Sequence, residues 1–423
     1  MLSLLEILAL LLTLSGVFGW INNRYFKLPH TIGLMIMALF ASLSIIAFDL
    51  LVPANSAREV ITATVGSIDF NKTLMEGMLS FLLFAGALHV DFSQLASQRL
   101  VIGVMATVGV VFSTFVVAGL TWAAFAVAGV DLPFVWALVF GALISPTDPV
   151  AVLGVLKTVK VPASLEAQIG GESLFNDGVG VVVFTIILSI AAGATGHAEP
   201  VTAISVIELF VVEALGGAVL GIVAGYLVYR LMRRIDAHMI EVLLTLALVT
   251  ATYAVALRLH ISGPIAMVVA GLFIGNHGAR FAMSENTQEH VFQFWELTDE
   301  ILNSVLFLLI GFEVLVIAFE PRLVWLALVA IPIVLLARFA AVFSTITLIS
   351  IQRDFLPGVI RILTWGGLRG GISVALALSL PASPYKQPIL VITYAVVAFS
   401  IIVQGLTIRR VIARVLPKTQ PTD

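Results

Sequence analysis

Two carboxylates, an amide and a hydroxyl stand together at the head of a long apolar run. They are Glu172, Ser173, Asn176 and Asp177, and the apolar run continues over 181–188. An ionised side chain at membrane depth costs roughly 3 kcal/mol on insertion scales, so such groups tend to mark ion or proton pathways. On a helix, residues four apart share a face, which pairs Ser173 with Asp177 and Glu172 with Asn176. The spacing predicts an ion site on one face and a structural pairing on the other.

Asp177 is the strongest candidate for the working carboxylate. Burial favours the protonated form of a carboxyl group and a bound cation favours the ionised form, so each ligand displaces the other. Competition at one group is the minimum that an exchanger needs. The hydroxyl groups of Ser173 and Thr147 would complete the all-oxygen ligand set that a hard cation prefers. The alternative is a buried aspartate that is simply hydrogen-bonded by Asn176 or Ser173.

The composition indicates an integral membrane protein. Of 423 residues, 60% are hydrophobic and 11% are charged, whereas soluble domains carry about 25% charged residues. Repeated apolar runs of about 20 residues are typical of spanning helices. The chain has no cysteine, which excludes disulfides and thiolate metal sites. No nucleotide-binding signature is present, so an ion gradient is the expected energy source.

Apolar segments recur along the whole chain and predict an all-α polytopic membrane protein with about 13 transmembrane helices. With the N-terminus outside and the C-terminus cytoplasmic, the inner loops and tail hold most of the basic residues, which fits a cell (inner) membrane. The longest loops are expected at about 51–72 and 277–298. The segments are at about 2–21, 29–50, 73–91, 100–128, 133–156, 168–193, 202–229, 239–257, 262–276, 299–319, 322–350, 357–381 and 387–411.

Thirteen segments divide into six, a linker helix and six, as expected for two inverted six-helix repeats. The fifth and twelfth segments then correspond, and both are interrupted. The fifth carries two prolines, Pro146 and Pro149, and the twelfth carries four glycines around Arg369. Broken helices in matching positions point to the midplane site of a transporter. The alternative is a pair of kinked packing helices.

Other charged groups have less certain roles. Asp148, in Thr-Asp-Pro, suits either a cap for the interrupted helix or a partner in the ion site. Glu172 needs a cationic partner at its own depth, and Arg369 in the other half is the expected one. A buried pairing, or a contact to a helix end, is favoured for Glu313 and Arg338.

Structural roles are favoured for the remaining polar candidates. The acidic residues that open the tenth segment are interpreted as a helix start, because acids there suit the helix dipole. The residues concerned are Glu208 and Glu213 in the linker helix, Asp299, Glu300 and Asn303 at the start of the tenth segment, and His89 and Asp91 at the end of the third.

Three motifs together resemble the Na+/H+ exchanger branch of the monovalent cation:proton antiporters, especially its NhaP-like members. They are Ser-Pro-Thr-Asp-Pro-Val-Ala-Val at 145–152, Gly-Glu-Ser-Leu-Phe-Asn-Asp-Gly at 171–178, and Gly-Leu-Arg-Gly-Gly at 367–371. The resemblance implies an NhaA-like antiporter fold with broken crossing helices and elevator-like alternating access. It also implies one transmembrane unit without a soluble domain. Its core helices are expected at about 73–193 and 299–411, and its dimerisation helices at about 1–50 and 202–276.

The resemblance also implies roles for single residues. Asp177 would carry the ion and the proton, Ser173 and Thr147 would bind the cation, and Glu172 would pair with Arg369. Asn176 would be the first member of an Asn-Asp pair, which in the family goes with electroneutral exchange. This sequence departs from many relatives at Ala85, where they have an acidic residue.

These observations predict a Na+/H+ antiporter, with Li+ or K+ as possible cations and a homodimer as the expected assembly. They predict no enzymatic activity and no cofactor beyond the transported ions. The lipid bilayer is an expected partner, and no nucleic acid or nucleotide is expected to bind. A K+/H+ antiporter and a sodium-coupled solute symporter are the alternatives. A cation channel would need a continuous pore. An intramembrane aspartyl protease is disfavoured because neither Asp148 nor Asp177 lies in a Tyr-Asp or Gly-x-Gly-Asp context.

Overall fold

The computed structural model describes residues 4–51, 73–156, 161–193, 203–315, 321–351 and 353–415. Within these ranges the regular elements are helices, in agreement with the predicted all-α class. They are α1 (Leu4–Ile21), α2 (His30–Leu51), α3 (Thr73–Leu88), α4 (Phe92–Ser97), α5 (Arg99–Val127), α6 (Phe134–Ile144), α7 (Val150–Leu156), α8 (Ala163–Gly193), α9 (Ala203–Met232), α10 (His238–Leu259), α11 (Gly263–Ala282), α12 (Glu285–Glu313), α13 (Pro321–Ile349), α14 (Val359–Trp365), α15 (Gly371–Leu378) and α16 (Lys386–Val415).

In the described part of the chain, nine helices are long and apolar enough to cross a membrane. Helices α3 and α6 are apolar but shorter. The chain is therefore a multi-pass helical membrane protein. The nine are α1, α2, α5, α8, α9, α10, α11, α13 and α16.

Both predicted interruptions are present. Helix α6 ends at Ile144 and α7 begins at Val150, and the two prolines between them cannot donate the backbone hydrogen bonds that would continue the helix. Helix α14 ends at Trp365 and α15 begins at Gly371. The glycines between them tolerate irregular backbone at a helix end. Proline and glycine thus fix where the two segments break.

The predicted loop at 277–298 is wrong, because α12 already begins at Glu285. Ser284 caps this helix by accepting a hydrogen bond from the N–H of Thr287 at 3.3 Å. The first half of α12 buries Val291 and Trp295 and exposes its acidic residues, so its sequence has helical periodicity without a continuous apolar run. The predicted helix start at Asp299, Glu300 and Asn303 is also wrong, since all three lie inside α12.

The turn after α3 is held by short polar contacts. Asp91 caps α4, and its carboxylate accepts hydrogen bonds from the N–H and the hydroxyl of Ser93 at 2.7 and 2.6 Å. These bonds lower the pKa of Asp91 below its usual value. His89 bonds the carbonyl of Ala85 through Nδ1 at 2.8 Å and packs edge-on against Phe292. Both residues thus make structural contacts in this turn.

Helix α9 packs against α11 with very close backbones. A Cβ atom at Gly217 or Gly221 would overlap the carbonyl oxygens of Ser262 and Ala266, respectively. The carbonyl of Glu213 accepts the N–H of Ser262 at 3.1 Å, so this end of α9 is tied to the start of α11. The predicted loop 51–72 lies almost wholly outside the described residues, as does the side chain of Glu208.

Candidate functional site

The two interrupted helices cross at their breaks. The N–H of Asp148 donates to the carbonyl of Leu368 at 2.8 Å, and the guanidinium of Arg369 donates through Nη1 to the carbonyl of Pro146 at 3.2 Å. A Cβ atom at Gly370 would overlap the Asp148 carboxylate. Glycine is therefore required at 370 by close approach, and backbone groups freed in one break bond to the other.

The carboxylate of Asp148 caps the second half of its interrupted helix. Its Oδ1 accepts a hydrogen bond from the N–H of Val150, the first residue of α7, at 2.8 Å. The carboxylate satisfies a donor that has no partner within the helix and lies at the positive end of the helix dipole. Of the two roles left open for Asp148, the structure shows the cap.

Three polar side chains beside the crossing form a hydrogen-bonded cluster centred on Thr147. Thr147 lies in the first break, while Ser173 and Asn176 lie on α8, and all three are buried. The Thr147 and Ser173 hydroxyl groups are 3.0 Å apart. Asn176 donates through Nδ2 to the Thr147 hydroxyl at 2.8 Å and accepts the Thr147 N–H through Oδ1 at 3.2 Å. The amide of Asn176 is thereby fixed in orientation.

Asp177 lies one turn beyond Ser173 and differs from its neighbours. Its side chain is 7% exposed, and no residue in the described ranges donates a hydrogen bond to it. Neither Asn176 nor Ser173 hydrogen-bonds Asp177 in the structure, since both of those side chains bond Thr147 instead.

The arrangement suits a small positive ligand. A buried carboxylate without a donor is unfavourable unless it holds a proton or a cation. Ser173 lies one helical turn before Asp177 on the same face of α8, and its hydroxyl oxygen is 3.0 Å from that of Thr147. Oxygen is the ligand that hard monovalent and divalent cations prefer. Asn176 cannot titrate, so Asp177 is the group of this cluster that can exchange one ligand for the other.

Glu172 forms its ion pair with Arg338 of α13, so the predicted partner, Arg369, is wrong. Both Glu172 oxygens accept from the Arg338 guanidinium, Oε1 from Nη1 and Oε2 from Nη2 at 3.0 Å. Arg338 also donates from Nε and Nη2 to the carbonyl of Leu363, in the last turn of α14, at 3.2 and 2.9 Å. Gly367 leaves room for Arg338, because a Cβ atom at position 367 would overlap the Arg338 guanidinium. The buried pairing and the helix-end contact expected for Arg338 are both confirmed.

Arg369 instead takes part in the hydrogen bonds that hold the crossing of the two breaks together. Its N–H donates to the Ser400 hydroxyl at 2.9 Å, Ser400 donates to Gln404 at 2.7 Å, and the Gln404 amide donates to the carbonyl of Trp365 at 2.9 Å. Two of its own side-chain nitrogens, Nε and Nη2, are buried without a hydrogen-bond partner. Sequence reasoning missed Ser400 and Gln404, whose signal was two polar residues four apart in an apolar segment.

Position 85, where many relatives of the resembling family have an acidic residue, is occupied by a closely packed alanine. Ala85 is buried in α3, and the ring of its neighbour Phe84 lies 4.7 Å from that of Trp295 on α12. The side chain at 85 therefore supplies no oxygen ligand.

Crossed broken helices beside a buried carboxylate are the architecture of a secondary ion transporter. Comparison with known proteins agrees. The family model described as "Sodium/hydrogen exchanger, transmembrane" matches residues 8–414, and this chain belongs to the sodium/hydrogen exchanger family.

Named relatives align over nearly the full length. The Na+/H+ antiporter NhaP of Pseudomonas aeruginosa is 48% identical over 419 residues, which cover 97% of each chain. The Na+/H+ antiporter NhaH of Halobacillus dabanensis is 33% identical over 401 residues, covering 92% of this chain and 93% of that one. The solved structure of the sodium proton antiporter MjNhaP1 from Methanocaldococcus jannaschii superposes with a TM-score of 0.73 at 19% identity, over 98% of this chain and 99% of that chain, which shows the shared fold.

Proposed function

We propose that this protein is a Na+/H+ antiporter in which one Na+ and one H+ compete for Asp177. The observation that carries the proposal is a buried carboxylate without a donor, one helical turn from Ser173, whose hydroxyl is 3.0 Å from that of Thr147. The relatives NhaP and NhaH are named Na+/H+ antiporters, which favours Na+ over K+ and exchange over solute symport.

The charges of the cluster support one-for-one exchange. A proton neutralises Asp177, and Na+ bound to the same carboxylate neutralises it equally. Asn176 is hydrogen-bonded through both ends of its amide to Thr147 and adds no second titrating group. The loaded site then has the same charge with either ligand, so exchange is electroneutral.

Alternating access would expose this site to each side of the membrane in turn. The crossing of the two breaks supports an inverted pair of six-helix repeats around the linker helix α9, with thirteen transmembrane helices in all. In this arrangement the moving core comprises about 73–193 and 299–411, and helices at about 1–50 and 202–276 form the interface of a homodimer. The N-terminus lies outside and the C-terminus in the cytoplasm of a cell (inner) membrane, which the distribution of basic residues supports.

The test is dissipation of an imposed pH gradient in proteoliposomes, with Na+, Li+, K+ or choline added and with or without a clamped membrane potential. Na+-dependent proton flux that is insensitive to the potential is expected from the wild-type protein. Asp177→Asn should abolish this flux, whereas Glu300→Gln, which removes an exposed carboxyl on α12, should leave it intact. Flux that survives in Asp177→Asn would refute the role of Asp177, and flux with K+ alone would refute the choice of Na+.

A further inference from the structure

The last three turns of α16 pack against α14, the first half of the second broken helix. The indole N–H of Trp365 donates to the hydroxyl of Thr407 at 2.9 Å. At the other end of the contact, a Cβ atom at Gly358 would overlap the side chain of Val415. Because the start of α14 lies beside the end of α16 and the end of α14 beside an earlier turn, the two helices run antiparallel here.

Three arginines lie on the same side of this helix pair. On α16, Arg410 and Arg414 follow Thr407 by three and seven residues, so all three share one helical face. On α14, Arg361 precedes Trp365 by one turn on the same face. The hydrogen bond between the indole and the threonine joins the two faces. Since the helices are antiparallel, Arg361 and Arg410 stand at about the same level.

The charges of this arginine face are not compensated. All three guanidinium side chains belong to exposed residues, and within the described ranges none of them forms an ion pair. Like charges on one surface repel one another, and an anion placed among them removes that repulsion. The planar set of donors of a guanidinium matches the oxygens of a phosphate group. The arginine face therefore fits a phosphate.

An apolar continuation of the same face favours a lipid as the source of that phosphate. Val403 lies one turn before Thr407 on α16 and is 40% exposed, so the face is apolar towards the middle of the helix and basic towards its end. Helix α16 is long and apolar enough to cross a membrane, and its end is therefore expected among the lipid headgroups. A free phosphate would contact the arginines but would leave Val403 uncovered.

We propose that Arg361, Arg410 and Arg414 bind the phosphate of an anionic phospholipid, with an acyl chain of that lipid along α16 at Val403. Juxtamembrane basic groups attract anionic headgroups in this way. The bound lipid would tie α14 to the end of α16. It would thereby steady the helix that leads into the second break, next to the bond from the Gln404 amide to the carbonyl at the end of α14.

The lipid site goes beyond the proposed exchange and is testable without it. The purified full-length protein is heated in detergent with phosphatidylglycerol, with phosphatidylcholine of the same acyl chains, or with inorganic phosphate at the same concentration. A ligand that binds the folded state raises the unfolding temperature. We expect phosphatidylglycerol to raise it by about 2 °C or more relative to phosphatidylcholine, and inorganic phosphate to give no comparable shift.

Two triple variants locate the effect. The first replaces the arginine face and should lose the shift produced by phosphatidylglycerol; it combines Arg361→Gln, Arg410→Gln and Arg414→Gln. The second is the matched control and should keep the shift, because it removes three exposed arginines at the end of α9 and just after it; it combines Arg230→Gln, Arg233→Gln and Arg234→Gln. Arg410→Gln alone should reduce the shift, and this single variant decides if the first triple variant fails to fold.

Three results would overturn the proposal. Equal shifts with the two lipids would mean that the headgroup charge is not recognised. An equal shift with inorganic phosphate would mean an anion site that takes no lipid. A shift that survives in the first triple variant, or that both triple variants lose equally, would mean that the arginine face is not the binding site. Proton flux does not enter this measurement, so failure of the lipid site and failure of the proposed exchange are recognisable separately.

Discussion

The N–H of Asp148 donates to the carbonyl of Leu368 across 2.8 Å, which joins the two broken helices where they cross. The same aspartate caps α7 through its side chain. One residue therefore fixes the start of a helix in one half of the chain and the path of the backbone in the other. A disturbance of either break is expected to reach Thr147, which precedes Asp148 directly.

Gly370→Ala should disrupt the crossing. The added methyl group would overlap the Asp148 carboxylate, and overpacking of this kind costs about 1–3 kcal/mol. We expect a lower unfolding temperature and loss of most Na+-dependent proton flux. Gly154→Ala in α7 is the matched control, because a Cβ there meets open space and alanine favours a helix. Equal behaviour of the two variants would contradict the role of the contact.

Glu172 and Arg338 should show strong energetic coupling. Removing one partner of a buried ion pair costs about 3–5 kcal/mol because the other charge is left uncompensated. We expect Glu172→Gln and Arg338→Gln to lower the unfolding temperature strongly, and the double variant to lose less than the sum of the two.

A second double-mutant cycle tests the specificity of the pairing between Glu172 and Arg338. Glu172→Gln combined with Arg369→Gln should be closer to additive, because those two residues share no hydrogen bond. If the Glu172–Arg369 cycle showed the larger coupling energy, the assignment of Arg338 as the partner would be refuted.

Thr147→Val should weaken Na+ binding more than it weakens folding. Valine keeps the shape of threonine but removes the hydroxyl that bonds Ser173 and Asn176. Loss of one oxygen that interacts with a charged ligand costs about 1.5–3 kcal/mol, which corresponds to roughly tenfold or more in the KM for Na+. Thr147→Ser retains the hydroxyl and should stay within a few-fold of wild type. The KM values come from flux measured over a series of Na+ concentrations, and an unchanged KM in Thr147→Val would exclude that hydroxyl from the ligand set.

Ser400→Ala should loosen the second break. The substitution leaves the N–H of Arg369 without its acceptor and Gln404 without its donor, at a cost of about 1–3 kcal/mol. Ser379→Ala is the control, because that hydroxyl bonds only a carbonyl in its own turn. Unfolding temperatures of the two variants in the same detergent make the comparison. A smaller loss in Ser400→Ala than in Ser379→Ala would contradict the network.

The breaks and the central cluster were predictable because they depend on local chemistry. Pro146 and Pro149, three residues apart, remove two backbone donors within one helical turn, whereas the single Pro332 remains inside α13. That Asp177 shares a face with Ser173 follows from their spacing of four residues on a helix. The start of α12 was not predictable from apolar runs, because its buried stripe includes Thr287 and Trp295 between exposed acids.

The partner of Glu172 was not predictable from the sequence. Two arginines occur inside apolar segments, and the choice between them depends on how α13 packs against the breaks. Only the three-dimensional structure shows that Gly367 leaves space for Arg338. Ser400 and Gln404 were missed for the same reason, since their role depends on the path of an irregular backbone.

The glycines of α9 also constrain how the protein can deform. Where Gly217 and Gly221 meet carbonyl oxygens of α11, main chain touches main chain, and no side chain is present that could change rotamer to accommodate sliding. These two helices are consequently expected to move as one rigid body. Any displacement relative to the neighbouring helices then has to occur beyond the ends of α9 and α11 or along the faces that these two helices do not share.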